Sequence, residues 1–375
     1  MPDHPLLDQL LNSFPKSNKE DWSRAASKEI GGKNPSEHLA WRTKDEITFL
    51  PYYDWENNFA LEYLKSFALR STAGFTSGRT WYSIPKISLP SNKNANAITL
   101  NHLASGADGI LYDCAQSYDP DLGPLLNEIH WPFCNVSFLV TRPTNLIQNI
   151  TEYVRKKNYD PKLLAGTIFC KSARDNKIDE LKEVEPYKRL RVLGIHLPAS
   201  SPVKEISSAL IETTALMDTL TDAGYNGEFI WRNLSFSLAS GNNFLLDIAK
   251  QKTLRLLLYQ IGQAFSLNHY TEVEINIRVE PWNDERFQPH GNMISGAVAA
   301  IAAVAGGCDS LTVLPDDENN VTMTRIARNV SNILREESHL DKVADPTAGA
   351  YALDNIVDQL AVAAWSEFQH NVTQL

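Results

Sequence analysis

The sequence predicts an α/β protein: a (β/α)8 TIM barrel preceded by an extended N-terminal arm. Three observations lead there. From about residue 80 onward, short β-like runs alternate with helix-like segments, and there are eight of each. Eight parallel strands with right-handed crossovers close into a barrel, whereas an open doubly wound sheet needs no more than six. The seventh run, 273-VEINIRVE-280, alternates strictly between Val273, Ile275, Ile277, Val279 and Glu274, Asn276, Arg278, Glu280. That is the period of a strand with one oily and one polar face. The third is that the first 70 or so residues, rich in Lys, Asn, Ser and aromatics, show no compact core. Residues 1–70 therefore read as an arm that packs on something else, and 71–375 as the barrel.

In chain order, the arm opens with a short helix pattern from Pro5 to Phe14, followed by the strand-like 46-EITFLPYYDW-55. The barrel strands are predicted at 82–88, 109–114, 135–140, 164–170, 191–197, 229–236, 273–280 and 308–314. Helices are predicted at 91–106, 117–128, 144–157, 177–187, 202–223, 243–265, 291–305 and 322–337. The fifth of these carries apolar residues at helical spacing and stops at Gly224; the sixth is long and amphipathic, with Asn243 as its cap. Gly306 and Gly307 read as a helix stop.

Helices cover the outside of every barrel strand, so the valines and isoleucines of 273–280 should face outward. Glu274, Asn276, Arg278 and Glu280 then face a lumen that ordinary barrels fill with Val, Ile and Leu. Buried charges must pair, and Lys86 and Arg232, on two other predicted strands, are the candidate partners. A polar lumen is either a ligand passage or an internal ionic plug.

Composition narrows the function. Hydrophobic residues make up 43% of the 375 and charged residues 21%, with a formal net charge of -10. That balance argues against non-specific binding to nucleic acid or acidic membranes. No apolar run is long enough to span a bilayer, and the N-terminus lacks the layout of a secretion signal. Cys114, Cys134, Cys170 and Cys308 lie far apart and read as buried thiols of a cytoplasmic protein. There is no GxxxxGK[ST], GxGxxG, HExxH or Cys/His cluster at metal-ligand spacing. His196, in 194-GIHLP-198, falls at the C-terminal end of the fifth strand, the rim where barrel enzymes keep their chemistry. Asp113 and Glu280 also end strands and could form the carboxylate pair of a barrel hydrolase. Asp316 and Asp317 read as a solvated loop capping the next helix.

Several blocks, in order, resemble the substrate-binding barrel of methylmalonyl-CoA mutases. They are 39-LAWRTKDEITFLPYY-53, 78-GRTWYS-83, 235-SFSLASGNNFLLDIAKQKTLR-255 and 325-RIARNVSNILREESHLDKVADPTAGAY-351. The resemblance implies a barrel with CoA along its axis and an arm that grips a partner subunit. It also implies a radical rearrangement of (R)-methylmalonyl-CoA to succinyl-CoA, initiated by adenosylcobalamin. His196 falls on a family catalytic position; Ser235, with Arg232 beside the family's motif arginine position, would touch substrate.

The departures from the family pattern point to a second expectation. No D-x-H-x-x-G cobalamin motif occurs; Thr76 stands at the family's tyrosine beside the radical centre, and 166-GTIFCKSARDNKIDE-180 lacks the carboxylate-binding arginine insert. Asn233 stands at the motif arginine, and 312-TVLPDDENN-320 replaces a run that touches the adenosyl group. The chain resembles the small (β) subunit of the heterodimeric mutases, a non-catalytic partner of a large (α) subunit that holds the adenosylcobalamin. The alternative is the barrel half of an active acyl-CoA mutase whose cobalamin domain lies on another chain.

Overall fold

The structure is a computed structural model, and it describes residues 13, 17–61, 63–64, 79–89, 94–114, 119–141, 145–171, 178–241, 243–267, 273–281 and 291–372. The helix expected at Pro5–Phe14, Thr76 and the centre of the 166–180 segment lie outside them.

Nine hydrogen-bonded strand pieces form one all-parallel sheet, and its two end pieces are Tyr82–Ser83 and Lys86–Ser88. They are two halves of one strand. Pro85 has no N–H to donate, so the ladder breaks there. On one side Ile84 donates to Leu311 O (3.0 Å); on the other Pro85 O accepts from Leu111 N (3.0 Å). Eight strands therefore close on themselves: β1 (82–88), β2 (Gly109–Cys114), β3 (Asn135–Val140), β4 (Ala165–Cys170), β5 (Arg189–His196), β6 (Leu234–Ala239), β7 (Glu274–Val279) and β8 (Ser310–Val313). Around the N-terminal arm helix α1 (Lys19–Glu29) and the barrel run α2 (Ala95–Ala104), α3 (Leu146–Lys157), α4 (Pro202–Asp222), α5 (Gly227–Asn233), α6 (Phe244–Ala264), α7 (Gly291–Gly306), α8 (Val321–Asn332) and α9 (Tyr351–Val372). No helix among the described residues is long and apolar enough to cross a membrane.

Local chemistry sets most of these ends. Asn243 Oδ1 accepts from Leu246 N to cap α6, and Gly224 and Gly307, both at φ +88°, end α4 and α7. Asp316 and Asp317 do not cap α8; Asn320 does, accepting from Thr322 N and Met323 N, while Asp317 holds Asn319 N within the loop. The sixth strand starts later than its sequence suggests. Asn226 accepts from Glu228 N at 2.8 Å and starts α5, so 227–233 is helical and the strand begins at Leu234. Of the predicted helix 117–128 the described residues keep helical structure at Leu122–Leu125, and of 177–187 a 3-10 helix at Ile178–Val184; residues 117, 118 and 177 lie outside the described ones. The sequence reading overlooked α9, although Leu353, Ile356, Val357, Leu360, Ala364 and Phe368 show the helical spacing and are all buried. This helix packs across α4 and α6 on the outside of the barrel.

The seam where β8 meets β1 is short, and α8 with the turn Ile333–Glu337 that follows it reinforces it. Asp108 Oδ2 accepts from Ser83 N (2.7 Å) and Arg335 Nη2 (2.8 Å), while Oδ1 accepts from Arg335 Nη1 (3.1 Å). The same guanidinium lies 5.2 Å over the Trp81 ring, and Trp81 Nε1 donates to Ser331 Oγ at 2.8 Å. Arg328 and Asn332, spaced one turn apart, donate to Asn101 Oδ1 and Ser105 O. The run starting at residue 325 is thus a latch across the closure.

Part of the arm packs on the chain's own α9. Thr48 N donates to Gln359 Oε1 (2.8 Å), Gln359 Nε2 returns a bond to Thr48 O (3.0 Å), and the Tyr63 hydroxyl donates to Asp358 (2.6 Å). Of the predicted 46–55 strand only Thr48–Phe49 pairs, with Trp41–Arg42. Helix α1 has a full capping box from Asn18 and Asp21 yet buries none of its residues.

Candidate functional site

The alternation of 273–280 places its two faces as expected. Val273, Ile275, Ile277 and Val279 lie in the main core between strands and helices. The even positions face the lumen, whose two halves differ. From β1–β4 project Ile84, Leu111, Leu139 and Phe169, a separate apolar cluster, with Asn135, Ser137 and Thr167 on the same strand faces nearer the N-terminal mouth; Ser137 Oγ donates to Asn135 Oδ1 (2.7 Å) and accepts from Thr167 N (3.0 Å). From β5–β8 project Gly194, His196, Ser235, Ser237, Asn276, Arg278 and Thr312. A Cβ on Gly194 would sit 2.5 Å from Ile168 O at the β4–β5 irregularity, so only glycine fits there. Asn276 joins the polar half: its Oδ1 accepts from Ser237 Oγ (3.0 Å), and its Nδ2 donates to Ser310 Oγ (3.0 Å) and Thr312 Oγ1 (3.2 Å). Between the two mouths these lumen side chains, His196 apart, are each 6% exposed or less.

The C-terminal mouth carries the ionisable groups. Lys86 Nζ stands 2.8 Å from Glu318 and 3.6 Å from Asp113, and Ser88 Oγ donates to Glu318 at 2.7 Å. Burial alone would lift the Glu318 carboxyl, but the bonds from Lys86 and Ser88 hold it below the ordinary range. Arg278 donates to Ser237 O (2.7 Å), Ser237 Oγ (2.8 Å) and Leu197 O (2.8 Å), with Glu280 at 3.5 Å. His196 ends β5 among these cations. Its Nδ1 is buried without a hydrogen-bond partner. Burial, then the charges of Arg278, Lys171 and Lys86, push its pKa down to about 3. These effects favour the neutral imidazole at physiological pH. Its ring resonances should stay flat from pH 8 to 5 in an NMR titration; a midpoint near 6.5 would show that the cations do not converge on it.

At the N-terminal mouth the pairing differs from the sequence expectation. Lys86 is at the other end, bound to Glu318 and Asp113. Arg232 is on α5, where its guanidinium lies 5.6 Å from the Phe229 ring, and among the described residues it joins no lumen ion pair. The partner of Glu274 is Arg191, which the sequence reading missed: Nε lies 2.9 Å from Oε1. Arg191 Nη1 also donates to Arg232 O and Leu234 O. Burial raises the Glu274 carboxyl above its ordinary range and Arg191 counters it. Arg189 Nη2 donates to the Tyr82 hydroxyl at 2.8 Å.

The arrangement brings Ser235 and His196 into one lumen and leaves Arg232 outside it. Asp113 and Glu280 end their strands at the C-terminal mouth, but each faces a cation, Lys86 and Arg278 respectively. Neither stands as a free acid or nucleophile. Cys114, Cys170 and Cys308 are buried and Cys134 is partly so; burial raises the Cys114 and Cys308 thiols to about 12 and that of Cys134 to about 11. Among the described residues no group of His, Cys, Asp and Glu could hold a metal ion.

Two ionic clusters behind the site, the first buried and the second partly so, also escaped the sequence reading. Lys250 on α6 meets Glu205 on α4 at 2.8 Å and Asp247 at 3.7 Å. It also donates to Ala239 O, while Glu205 accepts from Ser200 N and Asp247 from Gly241 N. The triad thus ties together the loops that follow β5 and β6. Arg255 and Arg79 meet Asp309 at 2.7 and 3.1 Å at the start of β8. In the sequence, Lys250 and Arg255 stand in an amphipathic helix that also carries Asp247, Gln251 and Lys252, so nothing marked them as buried.

Comparison with known proteins agrees with the resemblance. The family model described as methylmalonyl-CoA mutase matches residues 174–374. A methylmalonyl-CoA mutase small subunit from Porphyromonas gingivalis is 26% identical over 396 residues, covering 96% of this chain and 64% of the relative. The corresponding small subunit of Streptomyces virginiae is 32% identical over 194 residues, 49% of this chain and 32% of the relative. That of Propionibacterium freudenreichii subsp. shermanii is 23% identical, covering 97% of this chain and 63% of the relative. The chain spans less than two thirds of the length of these relatives. The family match covers more than half of the chain, and with the closed barrel it shows that this protein belongs to the methylmalonyl-CoA mutase family.

Proposed function

We propose that the chain is a non-catalytic small (β) subunit of a cytoplasmic methylmalonyl-CoA mutase. It supports a large (α) subunit that isomerises (R)-methylmalonyl-CoA to succinyl-CoA and holds the adenosylcobalamin. The observation that carries this reading is the lumen. Its inward side chains are shielded from solvent, with an apolar cluster on one side and a polar set on the other, which supports a barrel that no longer threads an acyl-CoA along its axis. Ser235 and His196 then persist as residues of a former substrate site.

The surface supports a large partner. Helix α1 is too short to be stable alone and covers no core of its own. Trp41 and Trp55 in the arm are 51% and 62% exposed. Helix α7 has no charged residue, yet leaves Ile294 67% and Val298 43% exposed. A helix apolar all round belongs in an interior, and a subunit interface would provide one. One observation favours the alternative, an active barrel half served by a cobalamin domain on another chain: the unpartnered Nδ1 of His196 at the rim.

The test is recovery of partners from the native cell on the tagged chain. A cobalamin-binding mutase chain in equal amount is the expected result, and it should be lost with Trp41→Glu/Trp55→Glu. Recovery of no such chain sinks the subunit reading. Turnover of an acyl-CoA by this chain with a separate cobalamin domain and adenosylcobalamin would establish the alternative instead.

A further inference from the structure

The bond between Arg189 and Tyr82 has an unusual position. β1 and β5 stand opposite each other in a closed ring of eight strands, so this bond runs across the barrel's N-terminal mouth. An eight-stranded barrel is only wide enough inside to be filled by side chains. One arginine meeting one tyrosine therefore spans the opening. A second chord lies beside it, from Arg191 on β5 to Glu274 on β7. Arg191 is held from behind by the carbonyls of Arg232 and Leu234, which fixes the chord in place.

Behind these chords the β5–β8 half of the lumen differs from an ordinary barrel: it carries small polar side chains in place of Val, Ile and Leu, facing the apolar cluster of Ile84, Leu111, Leu139 and Phe169. Ser235, in register with Glu274, is 1% exposed, and its hydroxyl has no hydrogen-bond partner. A buried hydroxyl left unbonded costs on the order of 1–3 kcal/mol, which favours occupation of the adjoining space by water or another polar group.

We propose that Tyr82 and Arg189, braced by the Arg191–Glu274 pair, are a plug that shuts a polar chamber, and that this plug determines what enters the barrel from its N-terminal side. The proposal deepens the reading of the lumen as a passage that has lost its guest, and rests on it. Nothing in the plug is covalent or central to the barrel core, so the scaffold should tolerate its removal.

The experiment is thiol accessibility. In a Cys134→Ser background, Ser235→Cys is exposed to a small maleimide and modification is followed by mass, with Ser137→Cys as a second probe on the facing wall. With the plug intact, both thiols should stay unmodified. With Tyr82→Ala/Arg189→Ala, modification of Ser235→Cys should become at least an order of magnitude faster while the thermal transition stays cooperative. The single variant Arg189→Ala, which keeps the tyrosine, should show an intermediate rate. Rapid modification with the plug in place, or none after its removal in folded protein, overturns the proposal. Partner recovery reports on the subunit reading separately, so it can survive failure of the plug.

Discussion

Lys250→Met is expected to destabilise the protein by about 3–5 kcal/mol, because it strands two carboxylates in the interior. Glu205, Asp247 and Lys250 are all buried to within a few per cent of full shielding. Burial raises the Glu205 and Asp247 carboxyls above their ordinary range, and Lys250 offsets only part of it. Without the ammonium, both must take up protons or pull in water. The lysine also donates to Ala239 O, so the loss extends to the end of β6. Lys250→Met/Glu205→Gln should recover a substantial part of the loss, since the uncompensated charge of Glu205 goes with it. Urea unfolding of the wild type, the single and the double variant measures this. An equal loss in single and double variants would show that packing around Lys250, not charge, is what matters.

Asp309→Ala should cost about 3 kcal/mol and flatten the acid limb of the stability curve. Its carboxylate accepts from Ile275 N at 2.8 Å and Arg255 Nη2 at 2.7 Å, and pairs with Arg79, joining α6 to the starts of β7 and β8. Burial alone would raise its pKa, but Arg255 and Arg79 outweigh burial and hold it below the usual carboxylate value. A group with a depressed folded pKa contributes its stability fully above the unfolded value, about 3.9. That contribution is lost as pH falls through the folded pKa. Stability measured from pH 6 down to 3 should therefore drop in the wild type by more than in Asp309→Ala. Parallel curves would remove Asp309 from the acid response.

The long blocks that carry the family resemblance contain much of the scaffold. In 235–255, Asp247, Lys250 and Arg255 hold helix α6 to the strand ends. In the block from 325, Arg328, Asn332 and Arg335 latch the seam beside β1. A charge buried in an apolar setting is specified by the partner it meets. Scaffold charges can therefore persist in a chain whose catalytic positions differ. Arg191 shows the converse: it stands among apolar residues in 191-RVLGIHL-197, but nothing nearby in sequence indicates Glu274 as its partner.

The sequence by itself determined the eight-unit barrel, the helix ends at Asn243, Gly224 and Gly307, and the two faces of 273–280. Each of these follows from the period of a strand or from a residue's own backbone and capping preference. Tertiary structure alone decided which charges meet, that Arg232 leaves the lumen on a helix started by Asn226, and that α9 receives the arm. Those outcomes depend on residues far apart in the chain. A one-dimensional pattern tells which face a side chain takes, but only closure of the ring brings β1 opposite β5.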